Sequence, residues 1–129
     1  MHELQAIIKA ADEAINREDL DAVMDFYTED ATLVVKPGLN ATGKDQIRKA
    51  FSSIAEYFNH SLHVIQDKMV VVEGGDTALV LARATIHAKD QTGKPVFVER
   101  EATYVFRRTT GGPWLCAVDN SYGTSLLRE

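Results

Sequence analysis

The 129-residue chain has one cysteine, Cys116, so neither an intramolecular disulfide nor a cysteine-built metal site can form, and a reducing cytoplasm is the expected home. Nothing beside Cys116 in sequence would depress its pKa, which favours a small buried apolar side chain over a nucleophile. Positive charge is also scarce. Fourteen Lys and Arg against nineteen Asp and Glu leave a net charge of −5, which argues against nucleic acid or an anionic membrane surface as a partner. No apolar run approaches the ~18 residues of a membrane span. The opening Met1-His-Glu-Leu-Gln has no basic segment followed by an apolar one, so a mature, soluble start is expected. Repeats, low-complexity tracts and linkers are absent. With 45% apolar and 26% charged residues, the composition is that of an ordinary folded domain, and residues 1–129 read as a single one.

Leu4, Ile7, Ile8, Ala11 and Ile15 recur at the spacing of an amphipathic helix. Asn16-Arg-Glu-Asp breaks that stripe, and Asp19 is placed to cap a second helix with Leu20, Val23, Met24 and Tyr27 on one face, giving a helical hairpin. A short strand is expected over 31–35, stopped by Pro37-Gly38. Gly43-Lys-Asp-Gln opens a third helix with Ile47, Ala50, Phe51, Ile54 and Phe58 at helical spacing. Four β-rich runs follow, over 62–72, 77–88, 96–107 and 114–122, joined by short turn-forming segments. The expectation is an α+β fold in which helices cover one face of an antiparallel meander.

This order, with Tyr27-Thr-Glu-Asp-Ala-Thr-Leu closing the hairpin, resembles the nuclear transport factor 2-like superfamily over nearly the whole chain. The stretch Asp21-Ala-Val-Met-Asp-Phe-Tyr-Thr-Glu-Asp-Ala-Thr is similar to ketosteroid isomerase and SnoaL-like polyketide cyclase relatives. Gly75-Asp-Thr-Ala, Glu101-Ala-Thr-Tyr-Val-Phe-Arg-Arg and Trp114 resemble the association domain of calcium/calmodulin-dependent kinase II, and Trp114-Leu-Cys-Ala-Val-Asp-Asn-Ser-Tyr-Gly a bacterial SnoaL-like group of small stand-alone proteins. The resemblance implies a cone-shaped curved antiparallel sheet wrapped around a long helix, with a cavity at its open end.

Alternate strand residues point to opposite faces, so strand parity decides which side chains a cavity meets. Along 77–88 one face carries Leu79, Leu81, Arg83, Thr85 and His87, and the other Ala78, Val80, Ala82, Ala84 and Ile86; periodicity leaves both open as the inner face. The resemblance to the isomerase relatives turns the Arg83 and His87 set inward, together with Arg100, Ala102, Tyr104 and Phe106, and with Val118, Asn120 and Tyr122 from the last strand. Under that register the pocket holds Arg83, His87, Arg100, Tyr104, Asn120 and Tyr122, with His63 and Tyr27 nearby. Two arginines in one apolar cavity call for an anionic partner, so a small-molecule ligand bearing a carboxylate or carbonyl is expected. Asp119 falls on the outward parity.

The positions matching the isomerase tyrosine, general base and protonated acid are Ala11, Val35 or Lys36, and Ala102, none with the required chemistry. No metal-binding spacing is present, and no cofactor is called for. The readings that follow are a small-molecule binding protein or enzyme of unassigned reaction, an oligomerisation module, and an aldol-type cyclase that needs Asp119 or Glu99 inside the cavity. A homodimer is expected, through the strip Ala78, Val80, Ala82, Ala84 and Ile86 taken as the outer face.

Overall fold

A computed structural model describes residues 2–128. The elements are α1 (Glu3–Asn16), α2 (Leu20–Met24), β1 (Tyr27–Lys36), β2 (Leu39–Thr42), α3 (Lys44–Tyr57), β3 (His63–Gly74), β4 (Thr77–Lys89), β5 (Pro95–Arg107) and β6 (Leu115–Asn120), with a closing 3-10 turn at Gly123–Arg128. The strands form one curved sheet in the order β2-β1-β6-β5-β4-β3.

The helical hairpin forms as its sequence indicates. Leu4, Ile8, Ala11 and Ala14 of α1 are buried, and the Asp19 carboxylate accepts from the Ala22 amide at 3.2 Å, satisfying a donor at the start of α2 that has no partner within the helix. The second helix is shorter than its apolar face suggests. It ends at Met24, and Tyr27 begins β1. Pro37-Gly38 stops β1 after Lys36 and makes the turn into β2, a four-residue strand not expected from the sequence. The sheet is antiparallel except at one seam, where β1 pairs parallel to β6.

The core lies between the helices and one sheet face. Tyr27, Phe106, Leu4, Ile8, Ile47 and Val23 are its largest fully buried side chains, each contributing about 1.5–3 kcal/mol by leaving water. On β4, the face turned to this core carries Ala78, Val80, Ala82 and Ala84, while Leu79 and Leu81 are exposed. The register taken from the isomerase relatives is therefore inverted on β4, and the alanine strip is core rather than outer surface. Both faces of β4 are apolar, which is why alternation alone left the choice open.

Register shifts interrupt the β1–β2, β1–β6, β3–β4 and β5–β6 pairings, and the bulges in β3 and β6 change strand parity at the cavity. In β3, Gln66 pairs with Ala84 and Lys68 with Arg83, leaving Asp67 as the extra residue. In β6, Cys116 pairs with Phe106 and Val118 with Val105, leaving Ala117 as the extra residue. Cys116 and Asp119, an odd number of residues apart, consequently share the inner face.

Candidate functional site

Between the sheet and the helices lies a cavity of about 220 Å³. Its lining is mainly apolar, with Ile8, Ile15, Val23, Leu33, Phe51 and Ile54 among its walls. Alanines at 11, 84 and 102 also border it; each brings only a methyl group, and that shortage of side-chain volume keeps the space open. Of the positions matched to the isomerase machinery, Ala11, Val35 and Ala102 line this cavity without a titratable group, and Lys36, the alternative to Val35, is not among its lining residues.

The polar groups in this wall are Asp12, Tyr27, Gln66, Arg100, Tyr104, Asp119, Ser121 and Tyr122. Asp119 reaches the interior because the Ala117 bulge flips it there, opposite Tyr104 on β5 and Leu33 on β1. It is 8% exposed, and its Oδ2 accepts a 2.6 Å hydrogen bond from the Tyr27 hydroxyl. Burial raises its pKa from 3.8 to about 6, and the Tyr27 bond opposes part of that rise.

Asp12 stands inside the apolar stripe of α1, one turn beyond Ile8, and is likewise 8% exposed. Its Oδ2 accepts from Gln66 Nε2 at 2.7 Å. Burial raises its pKa to about 7; the Gln66 bond lowers it, and the charges of Asp119 and Glu13 raise it further. A second contact fixes this geometry. Asn16, one helical turn past Asp12, donates through Nδ2 to the Val64 carbonyl at 3.1 Å and accepts from the Val64 amide at 2.7 Å. One turn of helix advances ~6 Å and two strand residues ~6.6 Å. The pairs Asn16–Val64 and Asp12–Gln66 are therefore in step along α1 and β3.

Tyr104 on β5 is buried, and burial, followed by the charges of Asp119 and Asp12, holds its phenol well above the ordinary value, with the neighbouring Gln66 amide opposing part of the rise. Tyr27 is raised in the same way by burial and then by Asp119, so both phenols remain donors. Arg100, half-buried, stacks over the Tyr122 ring at 4.6 Å and has no carboxylate within salt-bridge distance among the described residues. Tyr122 also donates to the Val35 carbonyl at 3.4 Å.

Of the side chains singled out from sequence, Tyr27, Arg100, Tyr104 and Tyr122 border the cavity. Arg83, His87 and His63 do not. Arg83 is on the outer face, 3.2 Å from Glu101; there it lines a shallow hollow of about 330 Å³ with Lys68 and Thr124. His63 pairs with His87 across the β3–β4 ladder, and the His87 ring meets Phe97 edge-on at 4.9 Å. Asn120 is turned away by the same bulge that brings Asp119 in. It holds the chain end instead, accepting from the Tyr122 and Gly123 amides and donating to Thr103 Oγ1. The interior is thus lined by two acids and one arginine rather than by two arginines.

Asp12 and Gln66 were missed in the sequence. Asp12 did leave a trace, as an acid within an otherwise apolar helical stripe, and Gln66 shares parity with Val64. Among the described residues no group of three or more His, Cys, Asp or Glu is placed to hold a metal ion, and no helix is long and apolar enough to cross a membrane. Cys116 is buried, its thiol pushed up by burial and by Asp119.

No functionally curated protein matches the chain. Among crystal structures, it is similar to a Novosphingobium aromaticivorans protein described as a candidate aromatic ring hydroxylase, at 28% identity over 90% of this chain and 82% of that one, with a TM-score of 0.79. A ketosteroid isomerase-like protein from Erwinia carotovora atroseptica is 25% identical over 89% and 88% of the two chains, with a TM-score of 0.72. A nuclear transport factor 2-like protein with a cystatin-like fold, also from Novosphingobium aromaticivorans, is 18% identical over 91% and 77%, with a TM-score of 0.76, and shows the shared fold. The sequence profile of the SnoaL-like domain matches residues 8–115, and with the curved sheet and the N-terminal helices in place, the chain belongs to the SnoaL-like family of the nuclear transport factor 2-like fold.

Proposed function

We propose that the chain is an acid–base enzyme acting on a small, largely apolar, carbonyl-bearing molecule held in the cavity, with Asp119 as the proton acceptor. The observation that carries this reading is Asp119 itself, a carboxylate facing an apolar cavity, with the Tyr27 hydroxyl as its hydrogen-bond partner. A carboxylate tuned to about 6 is ionised at neutral pH yet basic enough to take a proton from carbon. Arg100 supplies the charge that meets a ligand carbonyl or carboxylate, and the Tyr104 hydroxyl is available as a donor to a developing oxyanion. The aldol-cyclase alternative regains the inward carboxylate it needs. The likeness to a ketosteroid isomerase-like protein supports proton transfer at carbon as the reaction class. Catalytic roles fall on different residues here, because the three isomerase positions are matched by Ala11, Val35 or Lys36, and Ala102.

The test is α-proton exchange. The bicyclic ketone 2-tetralone, incubated with the protein in D2O, is expected to lose its α-proton NMR signals faster than in buffer. Asp119 breaks the C–H bond by taking the proton, the electron pair moves to the carbonyl oxygen as an enolate, and a solvent-derived deuteron returns to carbon. Asp119→Asn is expected to lower the enzymatic exchange by ~10²-fold or more. Equal exchange in the two proteins overturns the reading. Arg100 has a separate test in a thermal-shift series of small carboxylates. A ligand at a hundredfold excess over Kd stabilises the folded chain by ~2.7 kcal/mol, and Arg100→Met is expected to remove that shift while leaving the melt of the free protein in place.

Self-association belongs to the same proposal. The exposed side of the sheet carries Ile65, Val70, Val72, Leu79, Leu81 and Phe97, a larger apolar surface than the alanine strip, and we assign it to a homodimer whose cavities open away from the interface. The cytoplasm is proposed as the compartment, on the one buried thiol.

A further inference from the structure

We propose that Asp12 is a second catalytic residue, a proton donor acting with Asp119, and that the molecule turned over carries a hydroxyl group β to its carbonyl, which leaves as water. This deepens the acid–base reading of the cavity and rests on Asp119 as the proton acceptor. The first observation is placement. Both acids border the cavity, Asp12 on α1 and Asp119 on β6, so a molecule lodged there meets one from the helix wall and one from the sheet wall. Each uses one oxygen to hold its position, Asp12 Oδ2 accepting from Gln66 and Asp119 Oδ2 from Tyr27. The other oxygen of each, Oδ1, has no hydrogen-bond partner among the described residues, and neither is closed off by its neighbours as Gln66 Oε1 is. Oδ1 is therefore the atom that each acid offers to a ligand.

The second observation is that their surroundings differ. Around Asp12 stand Gln66 from β3, Tyr104 from β5, Asp119 from β6 and Glu13 on its own helix, two of them anions and none a cation. Around Asp119 stand Tyr27 from β1, Tyr104 from β5 and Cys116 on its own strand, with Asp12 across the cavity. Two acids that share a low-dielectric space do not ionise independently, and the one that loses its proton first makes the other hold on to its own. Asp119, at about 6, ionises before Asp12, at about 7, and its charge then raises Asp12. In the interval between them Asp119 is the base and Asp12 the acid.

The third consideration is where that proton goes. Arg100 and the Tyr104 hydroxyl serve the carbonyl oxygen in the reaction above, which leaves the Asp12 proton for a second oxygen. A hydroxyl on the β carbon is the oxygen that an enolate expels, and it leaves readily only when a general acid protonates it. In the step, Asp119 takes the α-proton and the C–H electron pair becomes the new carbon–carbon double bond. The C–O bond breaks with its electron pair on oxygen, and the proton from Asp12 completes a molecule of water. Solvent then returns a proton to Asp12 and removes one from Asp119.

The probe is 4-hydroxy-4-phenylbutan-2-one, one compound with two readouts. Exchange of its α-protons in D2O, followed by NMR, draws on Asp119; its conversion to the conjugated 4-phenylbut-3-en-2-one, followed by near-ultraviolet absorbance, draws on both acids. Wild-type protein is expected to catalyse both. Exchange should rise to a plateau above about pH 6, whereas elimination should peak between about 6 and about 7 and fall beyond, as Asp12 loses its proton. Asp12→Asn, whose amide oxygen still accepts from Gln66 Nε2, is expected to lower the ratio of elimination to exchange by ~10²-fold or more, and Asp119→Asn to lower both reactions. Exchange without elimination in wild-type protein overturns the proposal and leaves the Asp119 reading standing. An unchanged ratio in Asp12→Asn, or elimination that does not fall above pH 7, overturns Asp12 as the donor. Absence of both reactions overturns the Asp119 reading and the proposal with it. Should Asp12→Asn fail to fold, the two wild-type pH profiles decide the matter.

Discussion

Asp12 and Asp119 each give up the water that stabilises a carboxylate, and in exchange each receives one hydrogen bond from an uncharged partner, Gln66 or Tyr27. That exchange is unfavourable for the ionised form, so both acids hold a proton more tightly in the folded chain than in the unfolded one. Where the folded state binds more protons, stability falls as pH rises. The loss begins near pH 4, where the unfolded carboxylates ionise, and ends near pH 6 for Asp119 and near pH 7 for Asp12. At ~1.4 kcal/mol per pKa unit the Asp12 contribution is ~4 kcal/mol. Urea melts of Asp12→Asn are therefore expected to show a gain of ~2–4 kcal/mol at pH 8 and little change at pH 4. A variant less stable than wild type at pH 8 would mean that Asp12 is compensated by something other than Gln66. The sequence offered both acids openly but not their environments. Asp12 was passed over although it interrupts an apolar stripe, whereas Asp119 was assigned outward by a parity that holds only for an unbroken strand.

At the scale of elements, the two bulges decide what the cavity meets. The Ala117 bulge turns Asp119 in and Asn120 out, and the Asp67 bulge places Gln66 inward while Lys68 joins Arg83 outside. A bulge adds one residue without a distinctive side chain, so no pattern in 62–72 or 114–122 announces it. Helices were legible because their apolar periodicity is long. The meander was legible because its turns are marked by Gly, Asp and Pro. Strand β2 was not, because the alternation of Leu39-Asn-Ala-Thr runs for only four residues and does not stand out from a loop. The alanines on the inner faces of β4 and β5 have their own consequence. Ala102→Leu adds side-chain volume to a cavity wall, and since it enters space rather than a packed contact, the melting temperature is expected to hold or rise. Ligand binding should be lost by the same change. A drop corresponding to more than ~3 kcal/mol, the upper range for overpacking a filled core, would show that the space beside Ala102 is already occupied.

Across the whole molecule the sheet separates two unlike surfaces. One face, with the helices, encloses the acids; the other presents Ile65, Val70, Val72, Leu79, Leu81 and Phe97 to solvent. In most half-buried strands the larger apolar residues face the core, and β4 reverses this, with alanines inside and leucines outside. The cavity accounts for the first half, and the proposed homodimer would account for the second. Sedimentation equilibrium at micromolar concentration is expected to give about twice the 14.3 kDa chain mass, and Leu81→Lys, which places a charge in the middle of that face, to return a monomer. A wild-type mass that stays at one chain would reject the dimer. The class of fold could be read from residue order and resemblance, but which sheet face meets the helices could not, since that depends on how three helices and several register shifts fit together.

The account stands most directly on the two cavity acids titrating near neutrality. Carboxyl carbon shifts of aspartate-labelled protein, followed by NMR from pH 3 to pH 9, measure this without any ligand. Two aspartates are expected to titrate late, near 6 and near 7, with the first absent from Asp119→Asn and the second from Asp12→Asn. If every aspartate has titrated by pH 5, the acids are solvated or paired with cations, and the cavity is not the acid–base site described above.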